Sequence, residues 1–552
     1  MAEINHYLNT TDDDILSNEL IANMEEGAKM LISHIANEDD IFIQIDSDCD
    51  GYTSSATLIN YLNCLFPAYV RNHIYYRIHE GKQHGLIPET IPNNIKLAIA
   101  PDSSSNDYEE HKILNARGID VLVIDHHEAD IISPNACVIN NQLCDYPTKS
   151  LSGVGMVYKF CSYIDELLNV DYAEQFLDLT ALGMIADMMD LRDFETKHLI
   201  NKGLTHIRNP YFRGMVDKQS FQLKDGLTPF GIAFYIAPYV NATIRVGTQE
   251  EKLMLFESML DFKAYDEIPS TKRGAKGQME TRVEQACRNS TNIKNRQTKA
   301  RDVSLETIER LIAEQKLLDN KILVVKLDGY AVDKNLTGLV ANQLMAKYQR
   351  PVLILNKVIN DNVISWEGSG RGYDKSKFDN LREFLKNSNL VMYAEGHNNA
   401  LGSGILDENF DTFIEYVNTE LADFNFTTSY KVDFIFTGND IRPNDILELA
   451  ELKPIWGQGV EEPLIAIQKI NISKDNIKLL SPDKNPTLKL SLKNGIDLMK
   501  FKSSQEEYEN LIETGSVVID IVGRCERNVW NGNITPQIII EEYQIISKLH
   551  YF

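Results

Sequence analysis

The stretch IFIQIDSDCDG, residues 41–51, joins a β-branched run directly to three alternating aspartates and a glycine. Residues 41–45 have the largely apolar character of a buried strand, so Asp46, Asp48 and Asp50 belong to the loop at its end. Alternating carboxylates supply the oxygen ligands that hard divalent cations prefer. The stretch therefore predicts a metal site at the carboxyl end of a parallel strand.

Two other kinds of acidic loop share part of this spacing. An EF-hand calcium loop also opens with three alternating carboxylates and a glycine, but it needs an entering helix and a glutamate at position twelve, where this chain has Thr57. A haloacid-dehalogenase-type loop has threonine where this chain has Asp50. Both alternatives are disfavoured.

Two further strand-like runs also end in polar residues. IKLAIAPDSSSND (95–107) carries Asp102 after its apolar part, and IDVLVIDHHE (119–128) ends in an Asp-His-His-Glu sequence. Adjacent histidines alone are weak evidence, but ligands of open α/β sheets gather at the carboxyl ends of strands. Three such ends that converge predict a two-metal site in which one carboxylate bridges the ions.

An acid inside an apolar helical stretch is a candidate fourth contributor. Residues 177–188 indicate a largely buried helix, and Asp187 lies within it. Buried charges are rare unless they are paired or bound to metal.

The order of strand-like and helix-like runs predicts an α/β fold with several domains. A chain of 552 residues is expected to form three or four domains. The pattern predicts a parallel-sheet domain, a basic helical connector, a smaller α/β domain and an all-β barrel of about five strands resembling an OB-fold. We place these at residues 1–269, 270–318, 319–425 and 426–552.

Composition limits the compartment and the partners. Seven scattered cysteines without a CxxC pair indicate reduced thiols, and we expect a cytoplasmic protein, in the bacterial cell or in the host cytoplasm if phage-encoded. No apolar run is long enough to span a bilayer, so we expect no membrane partner. The net charge of −25 argues weakly against non-specific duplex binding.

The connector is locally basic despite this net charge. Residues 270–301 contain nine lysines and arginines but only two glutamates. This composition fits either a solvated helix face or the lining of a strand-binding channel.

In this order, the motifs resemble the DHH phosphoesterases and, within them, the RecJ-type single-strand exonucleases. The four acidic motifs are matched by residues 46–51, Asp102, residues 125–127 and Asp187. Further matching segments are LSGVGMVYKF (151–160), PYVNATIRVG (238–247), GSGRG (368–372), GHNNALGSG (396–404), KPIWGQGVEEP (453–463) and NVWNGNITPQIII (528–540). The resemblance covers about residues 35–545 and implies a DHH domain, a DHH-associated domain and an OB-like domain.

The resemblance also implies roles for single residues. Two Mn²⁺ or Mg²⁺ ions would be held, with Asp102 bridging, by Asp48, Asp50, Asp102, His126 and Asp187. Catalytic residues that orient ligands or substrate would be Asp46, Asp125 and His127. The phosphate of the strand end would be bound by Arg245, Ser369, Arg371 and His397. Local ion pairing of Arg245 and a turn-capping role for His397 are the structural alternatives.

Two tryptophans of the OB-like region, Trp456 and Trp530, are candidates for base stacking, although an aromatic residue in a β-barrel is more often part of the core. Some positions depart from the family pattern. Gln44 stands where related pyrophosphatases have a metal-binding histidine, Gly372 stands where RecJ proteins often have serine, and EGKQHGLIP (80–88) matches loosely. These departures indicate a divergent branch, for which phage or prophage origin is one explanation.

The resulting hypothesis is a metal-dependent 5′–3′ exonuclease that degrades single-stranded DNA to mononucleotides in DNA repair, recombination or replication. RNA is an open second substrate, a single-strand-binding protein or a helicase is an open partner, and we expect a monomer. Two alternatives stay open: a catalytically inactive RecJ-like single-strand-binding protein, and a nanoRNase or cyclic-dinucleotide phosphodiesterase.

Overall fold

The computed structural model describes residues 2–81, 83–223, 226–329, 332–333, 336–438, 440–530 and 532–549; Ala2 and Trp530 are described by their backbone alone. The chain forms two compact units. One consists of Met1–Ile293 together with Val432–Phe552, and the other of Lys294–Lys431.

The N-terminal part of the first unit is built on a five-stranded parallel sheet in the order β2-β1-β3-β4-β5. The strands are β1 (Asp40–Ile45), β2 (Ile74–Ile78), β3 (Ile95–Pro101), β4 (Asp120–Asp125) and β5 (Cys137–Asn140). The helices are α1 (Ala2–Leu8), α2 (Met24–Ala36), α3 (Cys49–Leu65), α4 (Pro67–His73), α5 (Tyr108–Ala116), α6 (Gly153–Leu168), α7 (Leu177–Ala186), α8 (Phe194–Leu204), α9 (Pro210–Lys218), α10 (Pro229–Tyr235), α11 (Ala237–Val246) and α12 (Gln249–Ser258).

Burial of both faces explains why the strands are apolar almost throughout. Along β1, Ile41, Ile43 and Ile45 pack into the larger core, whereas Phe42 packs into a second core on the opposite face. Successive strand residues point to opposite faces, so a strand covered on both sides cannot alternate with polar residues. This arrangement leaves the polar loops at the carboxyl ends of β1, β3 and β4 on one edge of the sheet.

A hairpin and a long helix follow. The hairpin is formed by β6 (Glu267–Pro269) and β7 (Met279–Thr281), and α13 (Arg282–Glu314) extends for 33 residues. The basic segment, residues 270–301, thus consists of the loop between β6 and β7, strand β7 and residues 282–301 of α13.

The second unit has its own mixed sheet in the order β11-β12-β10-β9-β8, in which only β8 and β9 run parallel. Its strands are β8 (Leu323–Leu327), β9 (Val352–Asn360), β10 (Val363–Arg371), β11 (Tyr393–His397) and β12 (Ala400–Leu406). Its helices are α14 (Thr337–Tyr348), α15 (Leu381–Asn387) and α16 (Phe410–Glu420). Helix α14 packs on the face of Val352 and Ile354, while α15 and α16 pack on the face of Leu353 and Leu355.

The C-terminal part of the first unit is a seven-stranded sheet in the order β13-β14-β18-β19-β17-β16-β15. Its elements are β13 (Phe434–Thr437), α17 (Pro443–Glu451), β14 (Ile465–Ser473), β15 (Ile477–Leu480), β16 (Thr487–Ser491), β17 (Asp497–Phe501), α18 (Gln505–Ile512), β18 (Ser516–Trp530) and β19 (Asn533–Leu549). The predicted count of about five strands was too low, because the edge strands β13 and β15 have only four residues each, too few for a clear periodicity.

The fold class expected from the sequence is confirmed: a parallel sheet, a smaller α/β unit and a C-terminal β domain form a mixed α/β chain. All seven cysteines carry free thiols. Within the described ranges, no helix combines the length and the apolarity that crossing a membrane requires.

Candidate metal centre and phosphate site

The segments that follow three neighbouring strands converge on His126, and Asp50 lies in the first turn of α3 and not in the loop before it. Its Nε2 lies 3.3 Å from Asp102 Oδ1 and 3.9 Å from Asp50 Oδ2. Asp187, beyond α7, completes the group, with its Oδ2 3.4 Å from the same nitrogen. A second set of acids, Asp46 and Asp48, shares Asp102 with this group. Two overlapping clusters of ligand atoms thus meet at one carboxylate.

The donor atoms of this cluster fit a divalent cation. Asp102 Oδ1 and His126 Nε2 are buried and have no hydrogen-bond partner among the described residues. A buried polar atom without a partner costs free energy, so a site that keeps two of them facing each other needs another ligand. Carboxylate oxygens combined with one imidazole suit Mn²⁺ or Mg²⁺.

The pKa values of the clustered acids show how strongly negative charge is crowded there. Burial, followed by the charges of Asp50 and Asp48, raises the pKa of Asp187 to about 8 and that of Asp102 well above its usual value. Burial and the Asp50 charge also raise the pKa of Asp48 to about 6. Cations bound among these carboxylates would offset the repulsion between their negative charges.

Helix α6 begins directly against Asp50. The backbone amides of Gly153 and Val154 donate to the Asp50 carboxylate at 2.6 and 3.2 Å, and the Ser152 hydroxyl donates at 2.9 Å. These donors are the unsatisfied amides of a helix N-terminus, which favours an anion. The LSGVG segment therefore fixes a buried acid.

Asp125 organises both histidines of the Asp-His-His sequence. Its Oδ1 accepts from the backbone amide of His126 at 2.7 Å and lies 2.8 Å from His127 Nδ1. Burial opposes ionisation of Asp125, but the hydrogen bonds from His127 and Ser105 outweigh it and lower the pKa of Asp125. The bond to Asp125 in turn raises the pKa of His127 to about 9. Burial lowers the pKa of His126, which therefore stays neutral and able to bind a metal.

Sequence reasoning missed two histidines beside Asp46. His84 Nδ1 lies 3.0 Å from Asp46 Oδ2, and His79 Nε2 lies 3.6 Å from Asp46 Oδ1. Burial lowers the pKa of His79 to about 4, whereas the bond to Asp46 raises the pKa of His84. Both belong to the stretch around EGKQHGLIP, whose loose match to the family was the only available signal.

Two positions differ in their local environment from the simplest expectation. Asp187 is not inside a helix: it caps the C-terminus of α7, where its amide donates to the carbonyl of Gly183. The apolar pattern continues past the helix end because Met188 and Met189 follow, and this conceals the boundary. Gln44 is fully buried, and its side-chain amide donates to the backbone carbonyl of Arg77, on the neighbouring strand, at 2.9 Å.

Three of the predicted phosphate-binding residues share one sheet face in the second unit. Arg371 of β10 and His397 of β11 both pair with Ala400 of β12, and Ser369 lies two residues before Arg371. Directly paired residues, and residues two apart on one strand, point to the same face. The face is that of α14, because a Cβ added to Gly338 near its start would lie 2.7 Å from Arg371 Nη2. The sequence did not indicate that the N-terminus of this helix adjoins the predicted phosphate-binding residues.

The other predicted contact residues have separate environments. Arg245 is exposed in the last turn of α11, which packs against both α3 and α7. Trp456 is half-buried and lines a cavity of about 650 Å³ together with Met188, Phe230 and Phe234. The side chain of Trp530 lies outside the described residues.

Two arginines at the start of α13 are engaged in ion pairs. Arg282 contacts Glu257 and Asp266, and Arg288 contacts Glu280. These contacts favour a structural role for this part of the basic segment, since a paired guanidinium is less available to phosphate.

Comparisons with known proteins agree with this site. The DHH family, N-terminal domain, matches residues 40–184, and the RecJ OB domain matches residues 432–542. A Bacillus subtilis (strain 168) protein, provisionally named SPbeta prophage-derived single-strand DNA-specific exonuclease YorK, is 38% identical over 548 residues, 98% of this chain and 93% of the relative. The single-stranded-DNA-specific exonuclease RecJ of the same organism is 26% identical over 553 residues; the match covers 97% of this chain and 65% of that longer protein.

A solved structure has the same fold over nearly the whole chain. RecJ from Thermus thermophilus, in complex with Mn²⁺, superposes with a TM-score of 0.71 at 19% sequence identity, covering 96% of this chain and 72% of the other. The length and identity of the prophage-derived match, together with the two matched domains, establish the family. This chain belongs to the DHH family and, within it, to the RecJ-type proteins.

Proposed function

We propose that this protein is a metal-dependent exonuclease that hydrolyses single-stranded DNA from the 5′ end to mononucleotides, in DNA repair, recombination or replication. One observation carries the proposal: three buried or half-buried carboxylates lie within 3.9 Å of a neutral histidine nitrogen that has no described hydrogen-bond partner. The names of the relatives support single-stranded DNA as the substrate.

The proposed metal ligands are Asp48, Asp50, Asp102, His126 and Asp187, with Asp102 shared between two ions. When bound, two divalent cations supply activated water and neutralise charge on the phosphate oxygens. The chain supplies the orientation. Helix α6 holds Asp50, and Asp125 fixes the backbone of His126 by accepting a hydrogen bond from its amide.

His127 is the proposed charged contact to the scissile phosphate. Its hydrogen bond to Asp125 raises its pKa to about 9, so it carries a positive charge near neutral pH, and its side chain is 57% exposed. A cation beside the reacting phosphate stabilises the charge that develops in the transition state. Asp46 is hydrogen-bonded to His84, and we propose that it orients the ligands on the side of the cluster formed by Asp48 and Asp102.

The proposed holders of the strand end are Arg245, Ser369, Arg371 and His397. The shared face of the last three, next to a helix start, supports an anion site within the second unit. Trp456 is proposed to stack on a base, since a half-buried aromatic in a cavity with Phe230 and Phe234 offers a flat apolar surface. We propose that the enzyme acts as a cytoplasmic monomer.

Neither alternative function is favoured. An inactive binding protein is disfavoured because every acid of the four motifs is present and the acids converge. A nanoRNase or cyclic-dinucleotide phosphodiesterase is disfavoured because the chain carries a matched RecJ OB domain.

The test compares a single-stranded oligonucleotide, the same sequence as a blunt duplex, and a dinucleotide, each with Mn²⁺ and with chelator. The proposal predicts rapid Mn²⁺-dependent hydrolysis of the single strand and little of the duplex. Cleavage restricted to the dinucleotide would replace the proposal with the nanoRNase function. Single-strand binding without cleavage would replace it with the inactive binding protein.

A further inference from the structure

The loop that carries Asp187 is held from the C-terminal domain. We define the Asp187 loop as residues 187–193, between α7 and α8, and the C-terminal turn as residues 456–460. The amide of Leu191 donates to the carbonyl of Gln458 at 2.9 Å. Leu191 is 3% exposed, so this bond is shielded from water. The two segments lie far apart in the chain but belong to the same compact unit.

The C-terminal turn has a defined geometry of its own. Gly457 and Val460 exchange backbone hydrogen bonds, the amide of Gly457 at 2.9 Å and that of Val460 at 3.1 Å. Gly459 between them has φ +77°, a backbone conformation that residues with a Cβ rarely adopt. The turn therefore presents a rigid backbone surface to the Asp187 loop.

Both glycines of the turn are in contact with that loop. A Cβ on Gly459 would lie 2.0 Å from Asp190 Oδ1, and a Cβ on Gly457 would lie 2.4 Å from Leu191 Cδ1. The Asp190 carboxylate accepts from the amide of Arg192 at 2.9 Å and from its guanidinium at 2.9 and 3.0 Å, so displacing this carboxylate would disturb the hydrogen bonds of the Asp187 loop. The space for any side chain at position 459 is thus already occupied.

The contact between the C-terminal turn and Asp190 lies three residues from Asp187, a proposed metal ligand. Asp187 follows the last turn of α7, and Met188 then turns the chain with φ +60°, an unfavourable conformation for a non-glycine residue. Such a conformation persists only where surrounding contacts hold it. Asp190 and Leu191, which contact the C-terminal turn, are the next residues along the chain that could hold this conformation.

We infer that Gly459 is a positioning residue for the metal centre: the C-terminal turn holds the Asp187 loop so that the Asp187 carboxylate faces His126. The C-terminal domain would then complete the metal site in addition to any contact with the strand. The inference rests on the proposed metal-dependent function and assigns a determinant of metal affinity to a domain that carries none of the proposed ligands.

The test substitutes Gly459→Ala in the full chain and uses Gly495→Ala as its matched control. Gly495 lies in the same domain with φ +88°, but a Cβ there would meet nothing within 4 Å. Both variants accept a similar backbone strain, and only the first displaces Asp190. The measurement is Mn²⁺ binding by titration calorimetry, together with thermal unfolding and single-strand binding in chelator.

The inference predicts roughly 10–100-fold weaker Mn²⁺ binding for Gly459→Ala, with single-strand binding in chelator unchanged. For Gly495→Ala it predicts Mn²⁺ binding within about twofold of the wild type. Combining Gly459→Ala with Asp190→Ala should recover most of the lost affinity, because the second change removes the carboxylate that the new methyl group displaces. Unchanged single-strand binding in chelator separates this effect from a general loss of folded structure.

Equal Mn²⁺ affinity in the two single variants, or no recovery in the double variant, would overturn the inference. If Gly459→Ala does not fold, Gly457→Ala provides the same comparison through Leu191, with the same expected loss. Absence of Mn²⁺ binding in the wild type would instead contradict the proposed function, so the two failures are distinguishable.

Discussion

Asp102 has an environment that suits a bound cation. Its side chain is 1% exposed, its backbone has φ +66°, and one of its oxygens faces His126 at 3.3 Å without a described hydrogen-bond partner. A strained, buried acid beside other acids destabilises the metal-free fold. The metal site therefore accounts for Asp102 better than a contribution to stability does.

Asp102→Asn tests this at the level of a single residue. Because the amide keeps the shape but removes the charge, the metal-free variant should be at least as stable as the metal-free wild type. Mn²⁺ should raise the thermal midpoint of the wild type but not that of the variant. Turnover should fall by at least about a thousandfold. Calorimetry and a nuclease assay measure both effects. Asp130→Asn, an exposed acid after the same sheet edge, is the control and should behave as the wild type.

Arg371 should recognise the phosphate of the strand end through its planar fork of donors. Arg371→Lys keeps the charge but loses the fork, so the preference for a 5′-phosphorylated over a 5′-hydroxyl oligonucleotide should fall by about tenfold. Binding of both oligonucleotides, measured by fluorescence anisotropy with Mn²⁺ omitted, checks this. Lys357→Ala on neighbouring β9 is the control and should keep the preference. An unchanged preference in Arg371→Lys would remove Arg371 from the phosphate site.

At the scale of elements, the sequence predicts the sheet and its ligand loops for a physical reason. Strands buried on both faces leave continuous apolar runs, and the polar residues after them stand out. The contacts of His79 and His84 with Asp46 span more than 30 residues and leave no periodic signal. The C-terminal turn could not be predicted either, because its partner in the Asp187 loop is more than 250 residues away.

The start of α6 gives a matched pair of substitutions. A Cβ on Gly153 would lie 2.3 Å from Asp102 Oδ1, whereas a Cβ on Gly155 would meet side-chain atoms of Leu151 and Met184 at 3.2 Å or more. Gly153→Ala should therefore lower turnover by about a hundredfold, since a displacement near 1 Å has effects of that size. Gly155→Ala should stay within about threefold of the wild type. Similar losses in both would place the effect in the helix and not in the site.

For the whole molecule, the net charge of −25 favours contacts with DNA that are few and local. If Arg245, Arg371 and His397 provide most of the phosphate contacts, the logarithm of the single-strand association constant should fall with the logarithm of salt concentration with a slope of roughly −2. Anisotropy titrations of the Asp102→Asn protein between 50 and 200 mM salt, roughly the range over which such slopes are resolved, measure it. A slope several times steeper would indicate that the basic segment 270–301 lines the strand-binding channel.

The most direct test of the central claim uses single-stranded oligonucleotides labelled at the 5′ or the 3′ end, incubated with Mn²⁺ and then with chelator. The account predicts that labelled mononucleotide appears at once from the 5′ label, appears from the 3′ label only at the end of digestion, and disappears in chelator. Cleavage that persists in chelator, or no cleavage at all, would contradict a metal-dependent exonuclease; immediate release from the 3′ label would contradict its direction.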